Sequence, residues 1–319
     1  MRRSRVASLA LLAALAAAAS GTAAGGGVTS GGGLSRARLE TPSALAMWRP
    51  GSGLIGMTAY HPASGSIWIL SSGRRLHEVL RLETPVNSLQ TMGPQAALAE
   101  IGLARPRYLL TTDGGRHWRR FHLRYPASFA TARLGLGYRT SLVGNRSKLA
   151  LLDTRDGGKT WQQQPTPCQG VSALTDLVTR RLAWLMCLDE PGAGNQAKAL
   201  YRSSDGGRHW QRLLQVPMTG RARGGIVSFG YPRGMAFAPG GFGILWESRG
   251  TLYVTRDGGR HWTAKSKLVQ PEVDFGHGGA AFPQGRAFVL VGQGAGRPAR
   301  LLETADYGRT WQTIIRWGR

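Results

Sequence analysis

At 319 residues, with 42% hydrophobic residues and ten Trp, the chain has ample material for a packed core, which excludes a globally disordered protein. Its 41 Lys and Arg against 17 Asp and Glu give a formal charge of +24, so anionic surfaces should attract it. The basic residues are scattered, never five in a row, which argues against an arm for sequence-specific nucleic acid.

In chain order, the first feature is a secretory signal over residues 1–24. Arg2, Arg3 and Arg5 supply its positive start, residues 6–19 an apolar run, and residues 20–24 small side chains for cleavage. Export to a bacterial extracytoplasmic space, whether periplasm, cell envelope or medium, is the expectation. The apolar run falls short of about 20 residues, so an uncleaved anchor is the alternative and membrane association is otherwise at most peripheral. Residues 25–37, rich in Gly and Ser, read as a flexible linker. Residues 38–319 read as one all-β domain.

Runs at 54–60, 66–70 and 76–82 have the strand content of a four-stranded unit, and residues 71–77 (SSGRRLH) resemble a turn that has lost an Asp. Five later segments share one template: residues 111–118 (TTDGGRHW), 154–161 (TRDGGKTW), 203–210 (SSDGGRHW), 255–262 (TRDGGRHW) and 304–311 (TADYGRTW). Their aspartates are 43, 49, 52 and 49 residues apart, the length of one propeller blade. Further strand runs lie upstream of each, for example 226–229 with 242–246 and 280–282 with 287–291. The count predicts a β-propeller of four-stranded antiparallel blades, six in number. Residues 39–48 could add a closing strand or the remnant of a seventh blade, so seven is the alternative.

The template has a physical reason. The carboxylates of Asp113, Asp156, Asp205, Asp257 and Asp306 can accept backbone N–H bonds further along a tight turn. Gly115, Gly158, Gly207, Gly259 and Gly308 supply a positive φ, and Trp118, Trp161, Trp210, Trp262 and Trp311 open the next strand with a large apolar ring. These residues read as structural. Cys168 and Cys187 are an even count in an oxidising compartment, so a bridge between them competes with two reduced, buried thiols.

The five octapeptides resemble the Asp-box, or BNR, repeat of bacterial sialidases and of many non-enzymatic propellers. Over roughly residues 50–317 the pattern looks most like propellers of the photosystem II assembly and stability factor type. The sialidase resemblance would imply an arginine cluster with an RIP-type motif, a Tyr and Glu nucleophilic pair and an Asp acid/base. The sequence offers WRPGS at Trp48, ARPRY at Ala104 and YPRGM at Tyr231, none of which is that motif. No pair among the twelve acidic residues outside the boxes is marked out for general acid/base work. His117, His209 and His261 recur in three boxes, but equivalent places in different blades are too far apart to share an ion. No catalytic residue, cofactor or metal site is therefore assigned.

The expectation is a monomeric, non-enzymatic exported propeller that binds or scaffolds a protein, an anionic glycan or another envelope partner. A sialidase-type glycoside hydrolase is the alternative, and a charge-driven binder of acidic envelope polymers the second. Interleaved Arg and aromatic residues nominate Arg105, Arg107, Tyr108, Arg119, Arg120, Tyr125, Tyr231 and Arg233 as partner contacts.

Overall fold

Short apolar runs stopped by Gly- and Pro-bearing turns form strands here and no α-helix among the described residues. The computed structural model describes residues 40–319 apart from 61–62, 73–74, 145, 266–274, 293–297 and 318–319. The expected signal at 1–24 and linker at 25–37 lie outside the described residues.

Blade 1 contains β1 (Thr41–Arg49), β2 (Ser52–Tyr60), β3 (Ala63–Ser71) and β4 (Arg75–Leu82). Blade 2 contains β5 (Val86–Thr91), β6 (Ala97–Ile101), β7 (Arg107–Thr111) and β8 (Arg119–Phe121). Blade 3 follows with β9 (Ala127–Phe129), β10 (Gly135–Val143), β11 (Arg146–Thr154) and β12 (Gln162–Gln164). Blade 4 has β13 (Ser172–Leu177), β14 (Ala183–Leu188), β15 (Lys198–Ser203) and β16 (Gln211–Val216). β17 (Pro232–Phe237), β18 (Gly243–Glu247), β19 (Leu252–Thr255) and β20 (Thr263–Ala264) make blade 5. The last blade is β21 (Phe275–Phe282), β22 (Arg286–Val291), β23 (Ala299–Thr304) and β24 (Gln312–Trp317).

Within each blade consecutive strands pair antiparallel. The first strand of every blade touches the first strand of the next, β21 included, which returns to β1. The sheets are therefore arranged radially, first strands inward. The wheel closes where β1 and β21 meet in parallel at Ala44 and His277, not by exchange of a strand. The chain is a six-bladed β-propeller.

Two expectations change. Residues 39–48 are neither a closing strand nor a seventh blade: β1 is the innermost strand of blade 1, because its Ala44 and Leu45 are needed to fill space beside β5 and β21. Residues 226–229 are not a blade strand. They belong to the long connection between β16 and β17, where Gly225 and Gly230 take positive φ and interrupt any ladder. Ile226 is still fully buried, and Val227 bridges to Arg221.

The core is distributed between the blades. Six apolar clusters occupy the six interfaces, from Leu54, Ile67, Val86 and Ala99 between blades 1 and 2 to Leu45, Ile55, Phe288 and Leu301 between blades 6 and 1. Trp118, Trp161, Trp210, Trp262 and Trp311 each join the cluster between their own blade and the preceding one. Between blades 4 and 5, Trp184 stacks on Phe237 at 4.1 Å, and Trp262 meets Phe237 edge-on at 5.8 Å. Trp184 also donates Nε1–H to the Gly258 carbonyl, at 2.8 Å.

The glycine just before the Arg or Lys of each repeat turn is pressed against the preceding blade. A Cβ added to Gly259 would lie 2.7 Å from Leu200 Cδ2, and one on Gly308 would lie 2.8 Å from Val254. Gly258, beside it, has φ +77° but open space around it. Gly258→Ala should therefore cost about 1 kcal/mol, the conformational penalty alone. Gly259→Ala adds a steric clash and should cost about 2–4 kcal/mol in urea denaturation. Equal losses from the two variants would refute the close inter-blade contact.

Candidate functional site

Because the four strands of a blade alternate in direction, its first and third turns leave one end of the sheet, while its second turn and the link onward leave the other. The five repeat turns all join third to fourth strands and so share one face. The opposite face carries the second turns and the inter-blade links.

On the turn face the template residues are occupied with one another. Thr111 Oγ1 donates to Asp113 Oδ1 at 2.9 Å and accepts from Gly115 N at 2.9 Å. Asp113 Oδ1 then accepts from Arg116 N and His117 N at 3.1 and 3.0 Å. The same bonds recur from Thr154, Ser203 and Thr255, and Thr304 repeats the hydroxyl part. Thr160 and Thr310 close the ring by donating Oγ1–H to Oδ2 of Asp156 and Asp306 at 2.6 Å. His117, His209 and His261 do the same through Nδ1, also at 2.6 Å. The histidines are thus hydroxyl substitutes, a role that sequence reading missed although the shared position signalled it. Among the described residues no group of three or more His, Cys, Asp and Glu could hold a metal.

These bonds hold the turn carboxylates well below the usual range. His117, through its backbone N–H and then its ring, does so for Asp113; the Thr160 hydroxyl and N–H do so for Asp156, and those of Thr310 for Asp306. For Asp205, burial pushes upward, and bonds from His209 outweigh it. A carboxylate depressed in the folded state stabilises it fully above the unfolded value near 4, and that contribution is lost as pH falls toward the folded value. The stability deficit of Asp156→Asn relative to wild type should therefore shrink between about pH 5 and about pH 2. A deficit that stays constant in urea melts across that range would contradict it.

The opposite face gathers four of the eight nominated contacts along blade 2, with Arg119 at the turn-face end of β8, and leaves the others apart. Arg107, Tyr108 and Arg120 line a groove of about 700 Å³ between blades 1 and 2, with Arg81, Phe121 and His122. Arg105 is exposed one residue before Pro106, which also lines it, and Arg119 opens β8 at the end nearest the repeat turn. Neither Arg107 nor Arg120 has a carboxylate within ion-pair distance among the described residues. Arg81 is paired with Glu78 at 2.5 Å and Glu40 at 3.2 Å. Burial, reinforced by Glu100, pushes the Tyr108 hydroxyl up to about 12, so it stays a neutral donor.

Tyr125 lies in the next link, edge-on to Trp161 at 5.6 Å with the Arg124 guanidinium 5.3 Å from its ring. Tyr231 and Arg233 lie at the start of blade 5, where Tyr231 accepts the Gly194 N–H at 2.9 Å and ties the β14–β15 turn to the link before β17. Arg81 and His122 are groove residues that the sequence reading did not nominate. Arg81 is in a different blade, and no spacing in the sequence marks that it shares a groove with Arg107.

No protein-family model matches the chain, nor does any curated protein. Among solved structures, the lectin of Aleuria aurantia, a six-bladed β-propeller with a fucose recognition mode, is similar over 87% of this chain and 95% of its own, with 9% identity and a TM-score of 0.57. A Hadza microbial sialidase, Hz136, is similar over 80% of this chain and 63% of its own, with 13% identity and a TM-score of 0.50. A structure of YCF48 bound to D1 peptide covers 86% of this chain and 82% of its own, at 19% identity and a TM-score of 0.43. The likeness is one of fold. This chain is a propeller of the lectin and sialidase shape.

Two more features mark the link face of the propeller. Cys168, in the link after β12, is bonded to Cys187 on β14, closing a loop across a sequence separation of 19. Lys198 on β15 donates to Glu247 Oε1 on β18 at 2.6 Å and to the Gly230 carbonyl at 3.1 Å, with both charged side chains fully buried. Burial raises the Glu247 carboxyl and lowers the Lys198 ammonium, each opposed by the partner's charge. The ion pair rivets blade 4 to blade 5. Lys198→Met alone should cost about 3–5 kcal/mol, because it strands a buried carboxylate. Lys198→Met with Glu247→Met should recover most of that loss in chemical denaturation, and a double variant no more stable than the single one would refute the coupling.

Asp176, on β13, accepts the Phe237 N–H at 2.7 Å, and burial raises its carboxyl to about 7. Its bond to the blade 5 backbone gives it a joining role between blades 4 and 5.

Proposed function

We propose that this propeller is an exported binding module that holds an acidic segment of a protein or envelope partner in the groove between blades 1 and 2. One observation carries the reading: Arg107 and Arg120, neither ion-paired to a carboxylate among the described residues, line one groove of about 700 Å³ with Tyr108 and Phe121, although Glu83 shares its wall. Arg forks match carboxylates in paired hydrogen bonds, and Arg with Tyr is the composition of interface anchors. Fucose recognition by the Aleuria aurantia lectin supports the view that a wheel of this shape can serve as a ligand holder. Export is part of the proposal and is supported by the residue pattern at 1–24 and by the disulfide.

A second reading, adhesion through charge alone, draws on the formal charge of +24. The two separate by position. With fluorescent poly-L-glutamate as the probe, Arg107→Ala with Arg120→Ala should weaken binding about tenfold or more, measured by anisotropy at physiological salt. Arg212→Ala with Arg260→Ala, which removes the same charge from a cavity on the turn face, should leave it unchanged. Equal weakening by both pairs would favour adhesion by charge and sink the groove. Turnover of a fluorogenic sialoside would instead move the protein into the glycosidase class.

A further inference from the structure

One hairpin departs from the blade pattern. β10 and β11 pair along nine residues each, from Gly135 with Thr154 to Val143 with Arg146. Their neighbours support only the base, since β9 pairs with 135–137 and β12 with 151–153. Thr140 Oγ1 makes the last tie to the body, donating to the Val171 carbonyl at 2.8 Å. Beyond it the ribbon projects about 10 Å, three residues at strand rise, on the link face.

The tip is apolar where a free hairpin end should be polar. Leu142 is 76% exposed and Val143 60% exposed, the two most exposed of the large hydrophobic residues apart from Leu103 at 63%. Adjacent strand residues point to opposite faces of the ribbon, so Leu142 and Val143 put one apolar side chain on each face, paired across the ribbon with Ser147 and Arg146. A protein groove that reads one face of a strand leaves the other in water, whereas a lipid interface surrounds the tip.

Charge points the same way. Arg139 and Lys148 flank the tip and are exposed, and Arg146 adds a third cation in the sequence. No Asp or Glu occurs between Asp113 and Asp153 in the sequence; the exposed acids on this side are Asp189 and Glu190, which follow Leu188 beside Val171 at the base of the hairpin. A ribbon end of about 10 Å that presents two exposed apolar side chains, with Arg139 and Lys148 exposed below them, has the dimensions and composition of an interfacial anchor on anionic lipid.

We propose that the β10–β11 hairpin is a membrane-docking element that inserts Leu142 and Val143 into the interface of an anionic bilayer, with Arg139 and Lys148 on the lipid headgroups. It is independent of the groove reading and requires only that the link face meet a membrane.

The test uses the full chain and a probe at the tip. Both cysteines of the sequence are in the disulfide, so Ser141→Cys offers a single thiol for an environment-sensitive dye while keeping both apolar residues. On vesicles of phosphatidylglycerol and phosphatidylcholine the dye should brighten, shift to the blue and be quenched by nitroxide-labelled lipid; pure phosphatidylcholine should give little response. In co-sedimentation, Leu142→Ser with Val143→Ser should weaken binding to the mixed vesicles at least about tenfold. Both residues are exposed, so an unchanged thermal melt is expected for that variant. A silent dye on chains that still sediment would place the membrane contact elsewhere and overturn the proposal. So would binding unaffected by the double substitution, absence of vesicle binding altogether, or a dye that responds only to a protein fraction.

Discussion

The propeller depends on a five-fold repeated turn in which a hydroxyl, a carboxylate and a glycine settle their hydrogen bonds among themselves. A third-to-fourth-strand hairpin leaves backbone N–H groups at its tip that would otherwise need water. The Thr or Ser hydroxyl and the Asp carboxylate take those donors, and the glycine then has no side chain to hold the turn away from the next sheet. The turn can press into the neighbouring blade because it is internally satisfied. Its Trp follows into the same interface, so a local solution to hydrogen bonding becomes the geometry of inter-blade packing.

Blade 1 shows what this turn contributes by doing without it. Its β3–β4 connection has no Asp, and the interface it shares with blade 6 holds no repeat-turn Trp. That gap is filled by Leu45, Ile55, Leu70, Phe288 and Leu301, with Trp317 of the last strand packed alongside. Closure then rests on side-chain packing and the parallel backbone contact of β1 with β21 at Ala44 and His277. Where the repeat is complete, hydrogen bonds and packing share the work. At the seam, packing dominates.

The two faces divide their labour accordingly. On the turn face, the Asp and His or Thr side chains of the repeats are committed to their own backbone, which leaves them little chemistry to offer a ligand. The link face is where the blades differ: it carries a basic groove, a disulfide, a buried ion pair and a projecting hairpin. Loops freed from the repeat's demands can vary without unfastening the wheel, and they collect the residues suited to binding.

The repeat was fully legible in the amino-acid sequence because each turn is built from eight consecutive residues whose hydrogen bonds are local. Blade number followed from the spacing, and Asp113, Gly115 and Trp118 with their four sets of counterparts were marked by position alone. Residues 39–48 and 226–229 were misread because strand-like composition is shared by an inner strand, a closing strand and a buried link; only pairing partners tell them apart. The groove was half legible: Arg107, Tyr108 and Arg120 are neighbours on one hairpin, while Arg81 reaches them from another blade. The pairing of Lys198 with Glu247, 49 residues apart, left no trace in spacing, because contacts between blades are set by how whole sheets stack. Local bonding wrote the turns into the sequence, and the stacking of sheets decided which distant side chains would meet.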